Sequence, residues 1–296
     1  MFGSKINLRQ VVSIFVVVAT CAMLFLYIQS HPTALSGLKN VTPIDLITVN
    51  LLYIASILTL AVNLNEIIRR AGKRITTYES LHVTSYASWA NYLIPGQSGP
   101  GLRAVYLKVK HGVPVRLVMI GTLVYLLWLV AISTFMVLYA AFGIRGWVVL
   151  LVMTILLIVA SILIFMLRAD SFIQNKEGFA ANIRLVVATG VWTLVQLILI
   201  GTIYYVELIA IDTRIGIVQA IGYAGVSNLS LLVAITPAAI GVREIFLAMS
   251  QGIHSISIET IAAASAVDRA SYVVFLVELS LFIALSHAKD RFRLSE

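Results

Sequence analysis

Long apolar runs, separated by short polar stretches, make up most of the chain. An α-helix needs about 20 mostly apolar residues to cross a bilayer. The runs of this length predict full membrane spans at Val11–Ile28, Ile44–Val62, Leu117–Phe142, Trp147–Leu167, Leu185–Val206 and Ile256–Ser286. The pattern therefore predicts an all-α polytopic membrane protein.

Two further apolar segments are interrupted by residues that break a helix. Leu81–Ile94 leads into the sequence PGQSGPG, and Ile215–Ile235 leads into TPAAIG. Proline and glycine disrupt a helix, and the backbone groups that they free must line a cavity or be buried in protein. The predicted helix breaks are Pro95, Gly96, Gly99 and Pro237. The polar, basic stretch from Asn63 to Ser80 is predicted to lie at the membrane surface as a short interfacial helix.

The distribution of Lys and Arg indicates how the broken segments enter the membrane. Cytoplasmic loops carry an excess of these residues. A single crossing by Leu81–Ile94 would place the basic residues near Lys108 opposite those near Arg70. A re-entrant hairpin keeps both clusters in the cytoplasm, and a second hairpin at Ile215–Gly252 leaves both termini cytoplasmic. The basic residues then predicted outside are only Lys39, Arg145 and Arg214.

The two breaks are followed by the same sequence pattern. GLRAVYLKVKHGV begins at Gly101 and GVREIFLAMSQGI begins at Gly241, and both read G-x-R-x-x-x-L-x-x-x-x-G. Because the two hairpins would enter from opposite sides, the pattern predicts an inverted-topology repeat, as in many secondary transporters. The eight apolar segments would form about six full spans and two re-entrant broken-helix hairpins. One integral membrane domain over 1–296 would hold repeat 1 at about 46–142 and repeat 2 at about 185–286.

Composition narrows the classes of protein that fit this pattern. The chain is 60% hydrophobic and 11% charged, whereas soluble domains carry about 25% charged residues. These values exclude a disordered chain and argue against an ordinary soluble enzyme. The net charge of +8 is spread over loops, without the aromatic and basic platform of a nucleic-acid-binding protein. The single cysteine, Cys21, and scattered histidines predict no disulfide, metal site or cofactor.

Charged residues within apolar segments are the candidate functional residues. Each costs about 2.5–3.5 kcal/mol near the bilayer centre and usually faces a cavity or an opposite charge. Arg103 and Arg243 would each lie in the first turn of a half-helix that starts at Gly101 or Gly241. A guanidinium beside the positive end of a helix suits a phosphate or carboxylate. These four residues are predicted to bind a lipid phosphate in one shared cavity, next to a counter-charge network of Glu244, Asp268 and Arg269.

Structural ion pairing is the alternative interpretation of these charges. Arg243 could pair with Asp268, or Glu244 with Arg269, without any ligand. Glu278 lies on the same predicted helix as Asp268. It is either a proton-coupling carboxylate or a residue near the helix end, and its depth favours the second interpretation.

Two stretches of the chain resemble one known family. NYLIPGQSGPGLRAVYLK spans the first break, and TPAAIGVREIFL followed by AVDRASY lies in the second half. They are similar to the lysylphosphatidylglycerol synthase transmembrane-region family, which includes YbhN-like membrane proteins. The resemblance covers roughly Leu46 to Ser286. It implies a lipid-translocating domain, since in larger members this region moves an aminoacylated phospholipid that a separate soluble domain makes.

The expected function is that of a flippase or transporter in the bacterial inner membrane. Its expected partner is a phosphate-bearing membrane lipid, either a phospholipid or a polyprenyl-phosphate-linked intermediate, and a homo-oligomer is compatible with the sequence. Since the chain lacks the synthase domain, it is expected not to be an aminoacyltransferase. Two alternatives stay open. One is a non-transporting accessory subunit of cell-envelope glycan or glycolipid assembly, and the other is an enzyme acting on a polyprenyl-phosphate lipid, which lacks support from any nucleophile–base pair.

Overall fold

The computed structural model describes residues 38–94, 98–143, 176–233, 236 and 239–293, and in these ranges the regular structure is entirely helical. In chain order the helices are α1 (Pro43–Arg70), α2 (Thr77–Leu93), α3 (Gly99–His111), α4 (Val115–Phe142), α5 (Lys176–Ile211), α6 (Ile217–Ser230), α7 (Val242–Met249), α8 (Gln251–His254) and α9 (Ile258–Arg293). A 3₁₀ turn at Leu231–Val233 extends α6. The predicted spans Val11–Ile28 and Trp147–Leu167, and the predicted breaks Pro95, Gly96 and Pro237, lie outside the described residues.

Four of the helices are long and apolar enough to cross a membrane. They are Pro43–Arg70, Val115–Phe142, Ile183–Ile211 and Ile258–Ser286. Each contains or overlaps one of the predicted spans, so the prediction of an all-α membrane protein is confirmed. Their average hydropathy is high, but only a minority of each span is buried within the protein.

One exposed face of α1 is an apolar stripe that requires a lipid environment. Ile44, Ile47, Leu51, Ile54 and Leu58 follow the spacing of a single helix face, and they are 39–74% exposed. A continuous apolar stripe of this length is unfavourable in water, whereas lipid tails cover it without a hydrophobic cost. Together with the other spans, this stripe makes the chain an integral membrane protein.

The predicted span Ile44–Val62 ends too early, and the predicted interfacial helix after it is wrong. Residues 63–70 are the last two turns of α1. Asn63, Ile67 and Ile68 are buried there, because these turns pack against neighbouring helices instead of lying on the surface. The chain leaves the helix at Gly72, whose φ of +68° is a left-handed conformation that glycine adopts readily.

α1 and α5 run antiparallel and define the two ends of the bundle. The end of α1 lies beside the described start of α5, since Arg69, Arg70 and Arg184 line one surface cavity. At the other end, Val41 packs against an apolar cluster that contains Ile211. We call the end with Arg69, Arg70 and Arg184 the basic end, and the end with Ile211 the opposite end.

α2 and α3 form an antiparallel hairpin that opens at the basic end. At the hairpin tip, the Gly99 N–H donates to Asn91 Oδ1 at 2.7 Å. At its open end, Glu79 lies near the start of α2 and His111 ends α3, with 2.8 Å between His111 Nε2 and Glu79 Oε1. The helices have 17 and 13 residues. At 1.5 Å per residue they are about 25 and 20 Å long, shorter than the roughly 30 Å of a hydrocarbon core.

Glu79 binds the second basic cluster of the sequence, near Lys110, at this end of the protein. Its carboxylate lies 2.7 Å from Lys110 Nζ and accepts a 2.7 Å hydrogen bond from the Tyr106 hydroxyl. Burial raises the pKa of Glu79, but the hydrogen bonds from Lys110, Tyr106 and His111 outweigh it and lower that pKa to about 2. Since Glu79 follows Arg74 closely, Lys110 lies at the same end of the protein as the basic residues that follow α1.

α6 forms the second hairpin with α7 and α8, and this hairpin opens at the opposite end. Near its open end, Gln219 Nε2 donates to the Ser255 carbonyl at 3.5 Å. Towards its tip, Ser227 and Arg243 both contact the Tyr204 hydroxyl, at 2.9 and 3.3 Å. The two hairpins therefore enter the bundle from opposite ends.

The contact between α6 and α4 leaves no room for a side chain at Gly225. A Cβ atom there would lie 2.8 Å from the backbone oxygen of Ser133 and 2.9 Å from Val137. We expect Gly225→Ala to destabilise the protein by about 1–3 kcal/mol, because the backbone cannot move aside easily. Thermal unfolding in detergent measures this effect. Gly252→Ala is the matched control, since no atom lies within 4 Å of its Cβ position, and equal unfolding temperatures for the two variants would contradict the close packing.

Candidate functional site

A cavity of about 310 Å³ lies where the tips of the two hairpins meet the long helices. Arg103 from α3 and Arg243 from α7 both line it. Its other polar lining residues come mainly from the long helices and include Tyr53, Asn63, Asn91, Tyr125, Gln196 and Asn228. The structure thus brings the two arginines of the repeated pattern to one polar cavity inside the bundle.

Arg243 is held by groups of the protein itself. Its side chain is 5% exposed, and Nη2 lies 2.6 Å from Asp268 Oδ2. Nη1 donates to the Tyr204 hydroxyl at 3.3 Å, and Nε lies 3.7 Å from Glu244 Oε1. A buried cation with this set of partners has its charge compensated without a ligand.

The acidic residues of the predicted network lie beside Arg243 and are themselves paired. The Tyr53 hydroxyl donates to Asp268 Oδ1 at 2.5 Å, which joins α1 to α9. Arg269 Nη2 donates to Glu244 Oε1 at 3.3 Å. The structure therefore contains both ion pairs that the sequence offers as the alternative to anion binding, and Asp268 and Arg269 also line the cavity.

The start of α7 is already occupied by a carboxylate. Gly241 has a φ of +82°, a conformation that favours glycine, and its N–H donates to Glu244 Oε2 at 2.8 Å. Glu244 thus caps the positive end of its own helix. An incoming anion at this position would compete with Glu244 for the same N–H group.

The start of α3 differs from the prediction in detail. The helix begins at Gly99, two residues before Gly101, and Asn91 caps the Gly99 N–H. Gly101 is exposed, with no atom within 4 Å of its Cβ position, and it is absent from the described cavity wall. Pro100 and Arg103 are the residues of this turn that line the cavity.

Arg103 has no partner comparable to those of Arg243. It forms no ion pair with a carboxylate in the described part of the chain, and its Nε atom is buried without a hydrogen-bond acceptor. The titratable group that it interacts with is the Tyr125 hydroxyl, which also lines the cavity. Arg103 therefore brings a positive charge that these residues leave uncompensated.

The repeated pattern has structural counterparts at two of its positions. Leu107 and Leu247 are both 0% exposed, and the arginines four residues before them both line the cavity. The glycines differ, because Gly112 ends α3 with a φ of +66°, whereas Gly252 lies within α8.

The chain matches the family model described as the lysylphosphatidylglycerol synthase TM region, over residues 10–279. The chain belongs to this family. The match begins well before Leu46, where the motif resemblance starts, and it includes the predicted span Val11–Ile28. The protein is thus a membrane protein of the flippase-like domain type, and this region is the non-catalytic part of larger family members. No curated protein and no solved structure matches the chain.

Glu207 is a buried acid, about one turn along α5 from Tyr204, that the sequence prediction missed. Its side chain is 1% exposed on α5, and neither carboxylate oxygen has a hydrogen-bond partner. The predicted span ended at Val206, which placed Glu207 at the membrane surface. A lone acidic residue in the apolar sequence YYVELIAI was the available signal, because such residues within spans are usually functional.

Two other candidate features can be placed from the same structure. Glu278 is partly exposed on α9 and lies outside the described cavity wall. Within the ranges that the structure describes, no group of three His, Cys, Asp or Glu residues could hold a metal ion. Besides the Asp268 carboxylate, which is paired with Arg243 and Tyr53, the cavity offers guanidinium, amide and hydroxyl groups, which suit an oxyanion.

Proposed function

We propose that the protein moves a phosphate-bearing lipid, or a lipid-linked intermediate, across the membrane, with the head-group phosphate in the central cavity. The observation that carries this proposal is Arg103. A guanidinium that lines a cavity within the bundle, without a carboxylate partner among the described residues, favours an anionic ligand. A phosphate offers the charge and the paired oxygens that a planar guanidinium binds best.

The contrast between the two arginines suggests how the site works. Arg103 is available to a phosphate, whereas Arg243 is engaged by Asp268 and Tyr204. A phosphate that approaches Arg243 would displace one of these partners or Glu244, and each displacement changes contacts between helices. The network of Glu244, Asp268 and Arg269 is therefore proposed to reorganise between the inward-open and outward-open states.

The two hairpins are proposed to be re-entrant and related by an inverted repeat. Three observations support this proposal: the hairpins open at opposite ends, α2 and α3 are short, and both tips reach the cavity. We further propose that the basic end faces the cytoplasm of a bacterial inner membrane, with both termini on that side, because Arg69, Arg70 and Arg184 are concentrated there.

Cysteine labelling tests this topology. In a variant that lacks Cys21, Lys108→Cys should react with a membrane-impermeant maleimide only after the cells are permeabilised, because Lys108 is exposed at the proposed cytoplasmic end. Arg214→Cys is the matched control at the opposite end, where Arg214 is 89% exposed, and it should react in intact cells. Equal labelling of the two positions in intact cells would show that the first hairpin crosses the membrane.

Reconstitution tests the function itself. The purified full chain is incorporated into vesicles that carry a fluorescent phosphatidylglycerol or a polyprenyl phosphate in one leaflet, and the appearance of the lipid in the other leaflet is followed. We expect translocation above that of protein-free vesicles and above that of a lipid without phosphate. Binding of a phosphate-bearing lipid without translocation would instead support a non-transporting accessory subunit.

A further inference from the structure

Glu207 is a buried acid for which the proposed lipid site has no role. It lies about one turn before the end of α5, so it is displaced from the cavity towards the opposite end of the bundle. It is 1% exposed, and both of its carboxylate oxygens lack a hydrogen-bond donor. Burial without a donor disfavours the charged form of any carboxyl group.

The groups around Glu207 are the charged and phenolic groups of the cavity. Glu207 lies about one turn from Tyr204 on α5, and the Tyr204 hydroxyl accepts a hydrogen bond from Arg243 on α7. Tyr53 on α1 and Asp268 and Arg269 on α9 also interact with Glu207 electrostatically. The protonation of Glu207 is therefore sensitive to how far Asp268 and an additional anion compensate these arginines.

We call Arg103, Arg243, Glu244, Asp268, Arg269 and Glu207 the charge cluster. Its net charge depends on whether Glu207 holds a proton. Arg103, Arg243 and Arg269 are three cations, and Asp268 and Glu244 are two anions. If Glu207 is ionised, these charges cancel. If Glu207 is protonated, one positive charge remains, which is the charge that a phosphodiester anion neutralises.

We propose that Glu207 is a proton-binding site coupled to the head-group site, so that the protein carries a proton and a lipid phosphate in the same direction. This proposal rests on the proposed function, to which it adds the energy source. The proton passes from water to the Glu207 carboxylate as the anion enters, and it returns to water as the anion leaves. Because linkage is reciprocal, a lower pH strengthens anion binding and anion binding takes up a proton.

Proton uptake on binding is the direct test in detergent solution. A soluble short-chain phosphatidylglycerol is titrated into the purified full chain by calorimetry, in two buffers that differ in ionisation enthalpy. A phosphodiester serves as the probe because it does not itself titrate near neutral pH. The titration is repeated at rising pH, because a buried carboxyl group without a donor can take up a proton only where the unliganded protein has lost it. At those pH values we expect the wild-type protein to take up a proton as it binds, and Glu207→Gln to bind the lipid without uptake at any pH. Glu278→Gln, the matched control outside the described cavity wall, should take up the proton as the wild type does.

Vesicles with a pH gradient test the consequence for transport. One proton per head group shifts the equilibrium distribution of the lipid by up to about tenfold for each pH unit across the membrane. This shift should disappear in Glu207→Gln and persist in Glu278→Gln. Wild-type binding without proton uptake at any pH, or unchanged uptake in Glu207→Gln, would overturn the coupling and leave the proposed lipid site intact. If no phosphate-bearing lipid binds or moves at any pH, the proposed function fails first, and the coupling fails with it.

Discussion

Replacing Arg103 by lysine is expected to reduce lipid translocation by roughly ten- to a hundredfold. Lysine keeps the charge but loses the planar pair of donors that a phosphate binds. The loss of one charge-assisted hydrogen bond costs about 1.5–3 kcal/mol, which corresponds to this range. The measurement is the initial translocation rate in vesicles that contain equal amounts of wild-type or variant protein.

Stability should separate the roles of the two cavity arginines. Arg103→Lys should leave the unfolding temperature nearly unchanged, because Arg103 forms no ion pair with a described carboxylate. Arg243→Lys should lower both translocation and stability, because it weakens the contacts with Asp268 and Tyr204. Arg214→Lys, at an exposed position far from the cavity, is the control for the substitution itself. Parental translocation rates in both cavity variants would rule out a phosphate clamp.

Replacing Asp268 by asparagine is expected to cause the largest loss of stability, about 3–5 kcal/mol. The substitution leaves the buried Arg243 guanidinium without its 2.6 Å partner, and an uncompensated buried charge is far more costly than a missing pair. It also weakens the acceptor for the Tyr53 hydroxyl, which joins α1 to α9. Thermal unfolding of the purified protein in detergent measures the effect.

Two further variants make the Asp268 result specific. Asp212→Asn is the matched control, because Asp212 pairs with the exposed Arg214, and exposed pairs contribute little. The double variant Asp268→Asn with Arg243→Gln should recover part of the lost stability, since it removes both charges. It should still fail to translocate lipid, because the second guanidinium of the cavity is gone. Similar unfolding temperatures for the two single variants would contradict a buried ion pair at Asp268.

The apolar pattern predicted the elements that depend on local sequence. The runs at Ile44–Val62, Leu117–Phe142, Leu185–Val206 and Ile256–Ser286 each fall on a long helix, because a bilayer imposes a minimum length of apolar sequence on every spanning helix. The ends of the helices were less predictable. α1 continues to Arg70 and α5 to Ile211, since polar residues near the ends of spans can face the protein interior as well as water.

The candidate residues could be chosen from sequence because a charge within an apolar segment is costly wherever it lies. Arg103, Arg243, Glu244, Asp268 and Arg269 were found by this rule, and all of them except Glu244 line the described cavity. The same rule applies to Glu207, but its use depended on knowing that the helix continues beyond Val206. Because the predicted span ended at Val206, five residues before the end of α5 at Ile211, Glu207 was not recognised as a buried acid.

The membrane class, the four described spans and the family could be predicted from the sequence alone, because they follow from local apolar length and from motif identity. The folded structure was needed to show that Asp268 and Glu244 compensate Arg243 and Arg269, and that Arg103 lacks such a partner among the described residues. It was also needed to place Glu207 one turn from Tyr204, which contacts Arg243. These outcomes depend on contacts between helices that are far apart in the chain. The sequence shows which side chains can carry a charge. The free-energy cost of burying that charge, and its compensation, depend on which groups the fold places within a few ångströms of it.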